Sequence, residues 1–463
     1  MTTARVEKVT TRMWFTIVLI GLAGQFAWSI ENMYLNTYIT YLNFSGTDSS
    51  GFDYNTMIAI TTALSAIVAT LTTLFMGALS DKLRRRKIFI SLGYLFWGIA
   101  TASFGLLNVV STSSSVKLGI SPKTAAIFVI LIDCIMTFFG STGNDACFNG
   151  YVTEHVEENN RSKVEGVLSI LPLLSMLIIF VCLNNLTTDS YGNRWDLFFY
   201  IVGGIVFIVG ILSFFLLPKE ERKEKSKEAY LPSLILGFRP KVIKSNRKLY
   251  LIFLIYALFQ ISQQVFFPYL MVYIEKSCSI SNSGEGLLTP FSIVMAIALL
   301  VGSLLSLIVG FVADKIGKDR MILPTLYLFF IGTLSMTFIP SFTSETARLV
   351  YGTISTLVMI LGFVSVPTVI NALVREYIPK GKEGGYMGVR MVFVVALPMC
   401  IGPFIGSYIN KTFGKMYTGS YGVSDHLPSS VAYPVAAAIL LLCLIPLFFL
   451  KKEPTIIKSS TKQ

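Results

Sequence analysis

Histidine is scarce in this chain, with only His155 and His426, so no histidine-based metal site is expected. Cysteine is sparse too. Cys134, Cys147, Cys182, Cys400 and Cys443 fall within apolar runs, Cys278 stands alone in a loop, and no CxxC or metal-ligand spacing occurs. Charged residues make up 14% of the chain, against about 25% in soluble domains. A phosphate-binding GxxxxGK loop, a catalytic triad and a zinc motif are all missing, so no enzyme activity, no cofactor and no direct drive by ATP are expected. No cleavable leader is expected either: Met1 to Arg12 is polar and the run that follows is too long for one. The longest gap between apolar runs is about 30 residues, which leaves little room for the effector segment of a non-transporting membrane sensor.

What fills the chain is apolar sequence. Of its 463 residues, 53% are hydrophobic and 35 are Phe. Mean hydropathy is +0.67. Twelve continuous apolar runs occur, at about 13–42, 53–80, 88–109, 122–152, 164–186, 195–217, 249–275, 285–313, 320–340, 346–374, 385–410 and 429–450. Spans this long read as helices, because barrel strands are short and alternate. The expectation is an all-α polytopic membrane protein with twelve transmembrane helices.

Net charge is +12, which raises the question of nucleic acid. The basic residues instead sit in short connecting segments. With both termini placed in the cytoplasm, 31 of the 38 Lys and Arg residues lie on that side and seven on the other. That asymmetry is the positive-inside pattern, so no nucleic-acid partner is expected. The bilayer is the partner, and the protein is expected to be a monomer in the cell (plasma or inner) membrane.

The two halves of the sequence repeat one another. Gln25, Tyr34, Leu35, Tyr38 and Ile39 recur 235 residues later as Gln260, Tyr269, Leu270, Tyr273 and Ile274. GALSDKLRRRK at Gly77 to Lys87 recurs as GFVADKIGKDR at Gly310 to Arg320. Asn149, Val152, Glu154 and Gly166 recur 222 residues later as Asn371, Val374, Glu376 and Gly388. Residues 1–217 and 249–463 are therefore expected to form two related six-helix bundles, joined by a cytoplasmic loop at 218–248. Such repeats occur in transporters whose substrate sits between the halves near the midplane.

Polar residues inside these runs are the candidate site. GQFAWSIENMYLNTYI, from Gly24 to Ile39, places Gln25, Ser29, Asn32 and Asn36 on one helical face beside Glu31. A carboxylate at the bilayer centre costs about 2.5–3.5 kcal/mol on insertion scales, so Glu31 should face a bundle interior or a wet cavity. Glu31 reads as a proton-titrating group, or as a structural acid with a polar neighbour. Asp145 and Asp133 are further coupling candidates in the fourth run. They are twelve residues apart, which puts them roughly 120° apart on a regular helix. Gln260 and Gln264, one turn apart in run seven, can read sugar hydroxyls because an amide both donates and accepts; they can equally hold helices together. Asn149 and Asn371 are substrate-lining candidates for the same reason. Trp28 is the aromatic candidate for stacking on a sugar ring.

Gly77, Asp81 and a basic cluster between runs two and three, repeated as Gly310, Asp314 and Lys315, resemble the signature loop of the major facilitator superfamily. Arg84 stands where that signature has Gly; the second copy keeps it as Gly317. The resemblance implies two six-helix bundles and a charge latch at these loops, with Asp81, Arg85 and Asp314 as gating residues and Arg390 as a partner. GQFAWSIENMYLNTYI is similar to the first helix of sucrose-type proton symporters. GSTGNDACFNGYVTE, from Gly140 to Glu154, is similar to the fourth helix of melibiose-type carriers in the glycoside–pentoside–hexuronide group, where an Asp with Phe three residues on lines the cation and sugar site; here these are Asp145 and Phe148. Between Asp53 at its very start and Asp81, run two carries no carboxylate, unlike melibiose-type sodium sites, which favours H+ over Na+. The expected function is proton-coupled symport of a glycoside or small oligosaccharide by alternating access. The alternatives are a proton-coupled drug or metabolite exporter, or a lipid carrier, on the same fold.

Overall fold

Apolar runs that cross a bilayer must satisfy their own backbone, and in the computed structural model they do so as helices. It describes residues 10–44, 52–107, 121–156, 158–188, 193–218, 237–280, 289–378, 383–419 and 422–452. The long helices are α1 (Thr11–Phe44), α2 (Tyr54–Leu83), α3 (Arg86–Leu107), α4 (Lys123–Val152), α5 (Glu158–Cys182) and α6 (Trp195–Leu216). They continue with α7 (Arg247–Ser277), α8 (Pro290–Ile316), α9 (Lys318–Ser341), α10 (Glu345–Tyr377), α11 (Gly388–Phe413) and α12 (Ala432–Leu450). Among the described residues ten helices are long and apolar enough to span a membrane; α5 and α8 add the apolar stretches Ile170–Cys182 and Pro290–Gly302. A two-stranded hairpin, β1 (Met416–Thr418) against β2 (Ser424–His426), sits between α11 and α12. Most of the connection between α6 and α7 lies outside the described residues.

Local chemistry marks the helix ends. Thr10, Asp53, Ser121 and Thr289 each accept a hydrogen bond from a backbone N–H of the first turn of α1, α2, α4 and α8. Repeat-related turns follow α2 and α8. Arg84 closes the first with φ 47°, and Gly317 closes the second with φ 106°. Both turns need left-handed backbone, which glycine adopts freely and arginine does not.

The helices α3 and α6 pack closely, as do α9 and α10, α8 and α10, and α1 and α5. Glycine permits the first of these approaches: a Cβ on Gly203 would lie 2.6 Å from the Ala102 nitrogen and 2.7 Å from the Gly98 carbonyl oxygen. Between the sequence halves, α2 packs on α11 and α5 packs on α8. The repeat relates α2 to α8 and α5 to α11, so these two contacts are exchanged mates of each other. Large apolar side chains such as Phe75, Phe215, Ile308 and Phe311 are exposed on the outer faces, as lipid contact requires.

Candidate functional site

The C-terminal end of α1 and the start of α2 lie at the end of the molecule away from the termini, together with the α11–α12 hairpin. There the two sequence halves are bonded to each other. Lys411 pairs with Asp53, and Asn410 donates to the Asn55 side chain at 3.0 Å. Tyr54 and Asn55 both donate to the His426 carbonyl, at 2.7 and 3.0 Å, and Asn43 donates to Asp425 at 3.1 Å. Tyr269, on α7, donates a bond shared between the carbonyls of Asn55 and Pro403. On the α5–α8 side, Asn184 donates to Ser292 at 3.2 Å and Phe180 meets Phe291.

Below this seal, α1 departs from regular geometry. Ile30–Tyr34 forms a π-helical turn that contains Glu31 and Asn32. Such turns are rare and concentrate at functional sites. Asn32 donates to the Trp28 carbonyl at 2.8 Å and Asn36 to the Asn32 carbonyl at 3.1 Å, so much of the polar face of α1 bonds its own backbone.

Glu31, Asn32 and Asn36 line a cavity of about 280 Å³. From α2 come Thr61, Thr62 and Ser65, and from α4 comes Asp133. The second sequence half closes it with Gln264 and Pro268 of α7 and Met399 of α11. Ser65 donates to Glu31 Oε1 and lies 2.7 Å from Thr137, so a chain of hydroxyls runs from α4 to the carboxylate. Glu31 Oε2 has no hydrogen-bond partner among the described residues, and neither has either oxygen of Asp133, which is 1% exposed. No Lys, Arg or His lines this cavity among the described residues. Two buried acids thus share a space without a compensating cation, an arrangement that a bound proton or cationic ligand would relieve.

The remaining candidates are placed as follows. Asp145 lies in a second π-helical segment, Ser141–Phe148, and its carboxylate accepts bonds from Ser141 at 3.1 Å and Asn144 at 2.9 Å. Asn144 in turn accepts from Tyr94 at 2.9 Å. Phe148 is buried in the core. Trp28 stands edge-on to Trp97 with ring centres 5.0 Å apart. Gln25 is partly exposed, and its carbonyl accepts from Ser29 and Ser175. Gln260 donates to the Val394 carbonyl at 3.5 Å, away from the Gln264 cavity. Asn149, exposed, donates to the Asp145 carbonyl at 3.3 Å. Asn371 donates to Tyr256 at 3.5 Å and accepts from Arg390 at 3.4 Å, so Arg390 is engaged within its own sequence half. Arg85 is exposed; the side chains of Asp81 and Asp314 lie outside the described residues.

The Ser65–Thr137 pair was not anticipated from sequence, nor were Thr61, Thr62 and Met399. The signal for the α2 hydroxyls was the hydroxyl-rich α2 itself, where Thr61, Thr62, Ser65, Thr70, Thr72 and Thr73 are all buried. A second cavity, of about 370 Å³, was also unforeseen. It is lined by Met33 of α1, Met176 of α5 and apolar residues of α7 to α10.

Comparison with known proteins gives the same architecture. The sequence profile of the Major Facilitator Superfamily matches residues 13–403. Comparison with curated protein sequences returns no match. Among solved structures, the nucleoside transporter NupG superposes with a TM-score of 0.67 at 11% identity, covering 96% of this chain and 100% of that one. A point mutant of the same transporter gives a TM-score of 0.68 at 12% identity over 95% and 100% of the two chains. The xylose transporter XylE from E. coli, in a partially occluded inward open conformation, gives a TM-score of 0.63 at 13% identity over 96% and 100%. With a family profile that spans most of its length and a helical bundle of the same fold, this multi-pass membrane protein belongs to the Major Facilitator Superfamily of transporters.

Proposed function

We propose that this transporter carries a glycoside or small oligosaccharide together with a proton. The observation that carries the reading is Asp133: a fully buried acid with no hydrogen-bond partner among the described residues, in one cavity with Glu31 and with no basic group lining it. Two ionised carboxylates in a low-dielectric space repel, and each has lost its water. A proton shared by Glu31 and Asp133 removes most of that cost. In this reading the protonated pair lets the loaded carrier rock between its two faces, and Ser65 and Thr137 hold Glu31 while it exchanges the proton.

Asn32, Asn36 and Gln264 supply donors and acceptors for sugar hydroxyls, and they belong to both sequence halves. Trp28, Gln25, Gln260, Asn149 and Asn371 are assigned to outer parts of the substrate path that become accessible in other states. Asp145, bonded by Ser141 and Asn144, is assigned a positioning role in α4. Residues 1–217 and 249–463 are the moving bundles, with 218–248 as the cytoplasmic link and both termini in the cytoplasm. Asp81, Arg85, Asp314 and Arg390 belong to the latch of the opposite state, in which the termini end is closed.

The named sugar and nucleoside carriers of similar fold support a solute of this class. The test is uptake of labelled glycosides into proteoliposomes with and without an imposed pH gradient. Accumulation that requires the gradient and collapses with a protonophore supports symport; gradient-independent equilibration sinks it. Proton antiport of an apolar cation is the second reading, favoured by the same two uncompensated acids. It predicts efflux driven by the gradient instead of uptake.

A further inference from the structure

We propose that the Met- and Phe-lined cavity holds the apolar aglycone, preferably an aromatic ring, of a glycoside whose sugar lies against Glu31 and Gln264. This rests on the glycoside reading above and narrows its substrate class.

Every side chain that lines the second cavity is Met, Phe, Leu or Ile. A sugar ring placed there would leave its hydroxyls without partners, and a nucleobase would leave its ring nitrogens and exocyclic groups equally stranded. The second polar ring of an oligosaccharide is therefore chemically mismatched to this lining, whereas a hydrocarbon or aryl group matches it. Phe267 and Phe363, both lining this cavity, stack nearly parallel, at 5.5 Å between centres and 12° between planes. Met33, Met176, Met295 and Met359 come from four different helices. Their unbranched side chains adapt to ligands of varied outline, so the cavity selects for apolar character more than for one shape.

The two cavities flank the same pair of helices. Asn32 lines the polar one and Met33 the apolar one; Pro268 and Phe267 divide in the same way on α7. A ligand seated on Asn32 and Pro268 thus has the apolar lining one residue away on each helix. One amphiphilic solute with a polar head and an apolar body matches this division.

The experiment uses the full chain in lipid nanodiscs, because alkyl-glycoside detergents belong to the proposed ligand class and would compete. Matched methyl and phenyl glycosides of glucose, galactose and xylose are titrated by calorimetry. For at least one sugar the phenyl compound is expected to bind at least tenfold more tightly than the methyl compound. Met359→Asn and Leu299→Asn should each erase that ratio while leaving the methyl affinity within twofold, and this retained affinity also reports that the variants fold. Met359→Leu should preserve the ratio. Equal affinities of the methyl and phenyl compounds overturn the aglycone assignment and leave the glycoside reading standing. No binding by any member of either series overturns both, and the wild-type ratio decides the matter even if a variant fails to fold.

Discussion

Lys411 Nζ lies 2.6 Å from Asp53 Oδ2, joining the last turns of α11 to the cap of α2. The pair ties the first sequence half to the second at the end away from the termini. Both side chains are partly exposed, at 47% and 38%, so the pair contributes about 0–1 kcal/mol. Asp53→Asn or Lys411→Met is expected to shift the population modestly toward the state open at this end. Distances between spin labels on α2 and α11 read the shift. Unchanged distances in both single variants would show that the neighbouring network seals this end without the charge pair.

The same pair sets a pH dependence. Burial pushes the Asp53 carboxyl up, but hydrogen bonds from Lys411 and Thr56 outweigh it and hold the group below the usual aspartate range. A depressed value in the closed state means that the contribution is complete above the ordinary aspartate value of about 4 and fades as the pH falls through the lowered one. The closed fraction should therefore be flat near neutrality and decline only in acid. A closed fraction that drops between about pH 6 and 8, the range in which histidine titrates, would point to a different group.

Asp133 is expected to trade stability for function. Removing a buried acid that has no partner among the described residues should stabilise the protein, so Asp133→Asn is predicted to raise the unfolding temperature by roughly 2 °C while abolishing gradient-driven uptake. A thermal-shift assay in nanodiscs measures the first and proteoliposome uptake the second. A destabilised variant with normal coupled uptake would make Asp133 a structural residue.

Arg84 carries the backbone cost that Gly317 avoids. With φ at 47°, Arg84→Gly should stabilise by about 1 kcal/mol. At Gly317, φ 106° strains any other residue although nothing lies within 4 Å of an added Cβ. Gly317→Ala should therefore destabilise through the backbone alone. Thermal unfolding of the two single variants gives both signs.

The twelve helices were legible in the chain because a bilayer leaves apolar sequence few other ways to satisfy its backbone. Glu31 was legible for a similar reason, since a carboxylate in such a run is too costly to be left facing lipid. The ranking among the acids of α4 was not. A regular helix puts Asp133 and Asp145 about 120° apart, but the π-helical segment at Ser141–Phe148 changes the register between α4's two ends. Asp145 finds its donors, Ser141 and Asn144, within its own helix, whereas Asp133 reaches the Glu31 cavity.

The seal and the second cavity left no local trace. Asp53 and Lys411 are 358 residues apart and look like ordinary loop charges in sequence. Met33, Met176 and Phe363 are indistinguishable from packing residues until three helices converge on them. Arg84 shows a mixed case: its departure from the glycine of the signature loop was visible, but its left-handed backbone was not.

Coupling itself is tested most directly by trapping a pH-sensitive dye inside proteoliposomes and letting a transported glycoside run inward down its gradient. The lumen should acidify in step with sugar entry for the wild type. Glu31→Gln and Asp133→Asn should each abolish the acidification while sugar-for-sugar exchange continues. Acidification of wild-type strength in both variants, or sugar entry with no proton movement in the wild type, would contradict the account.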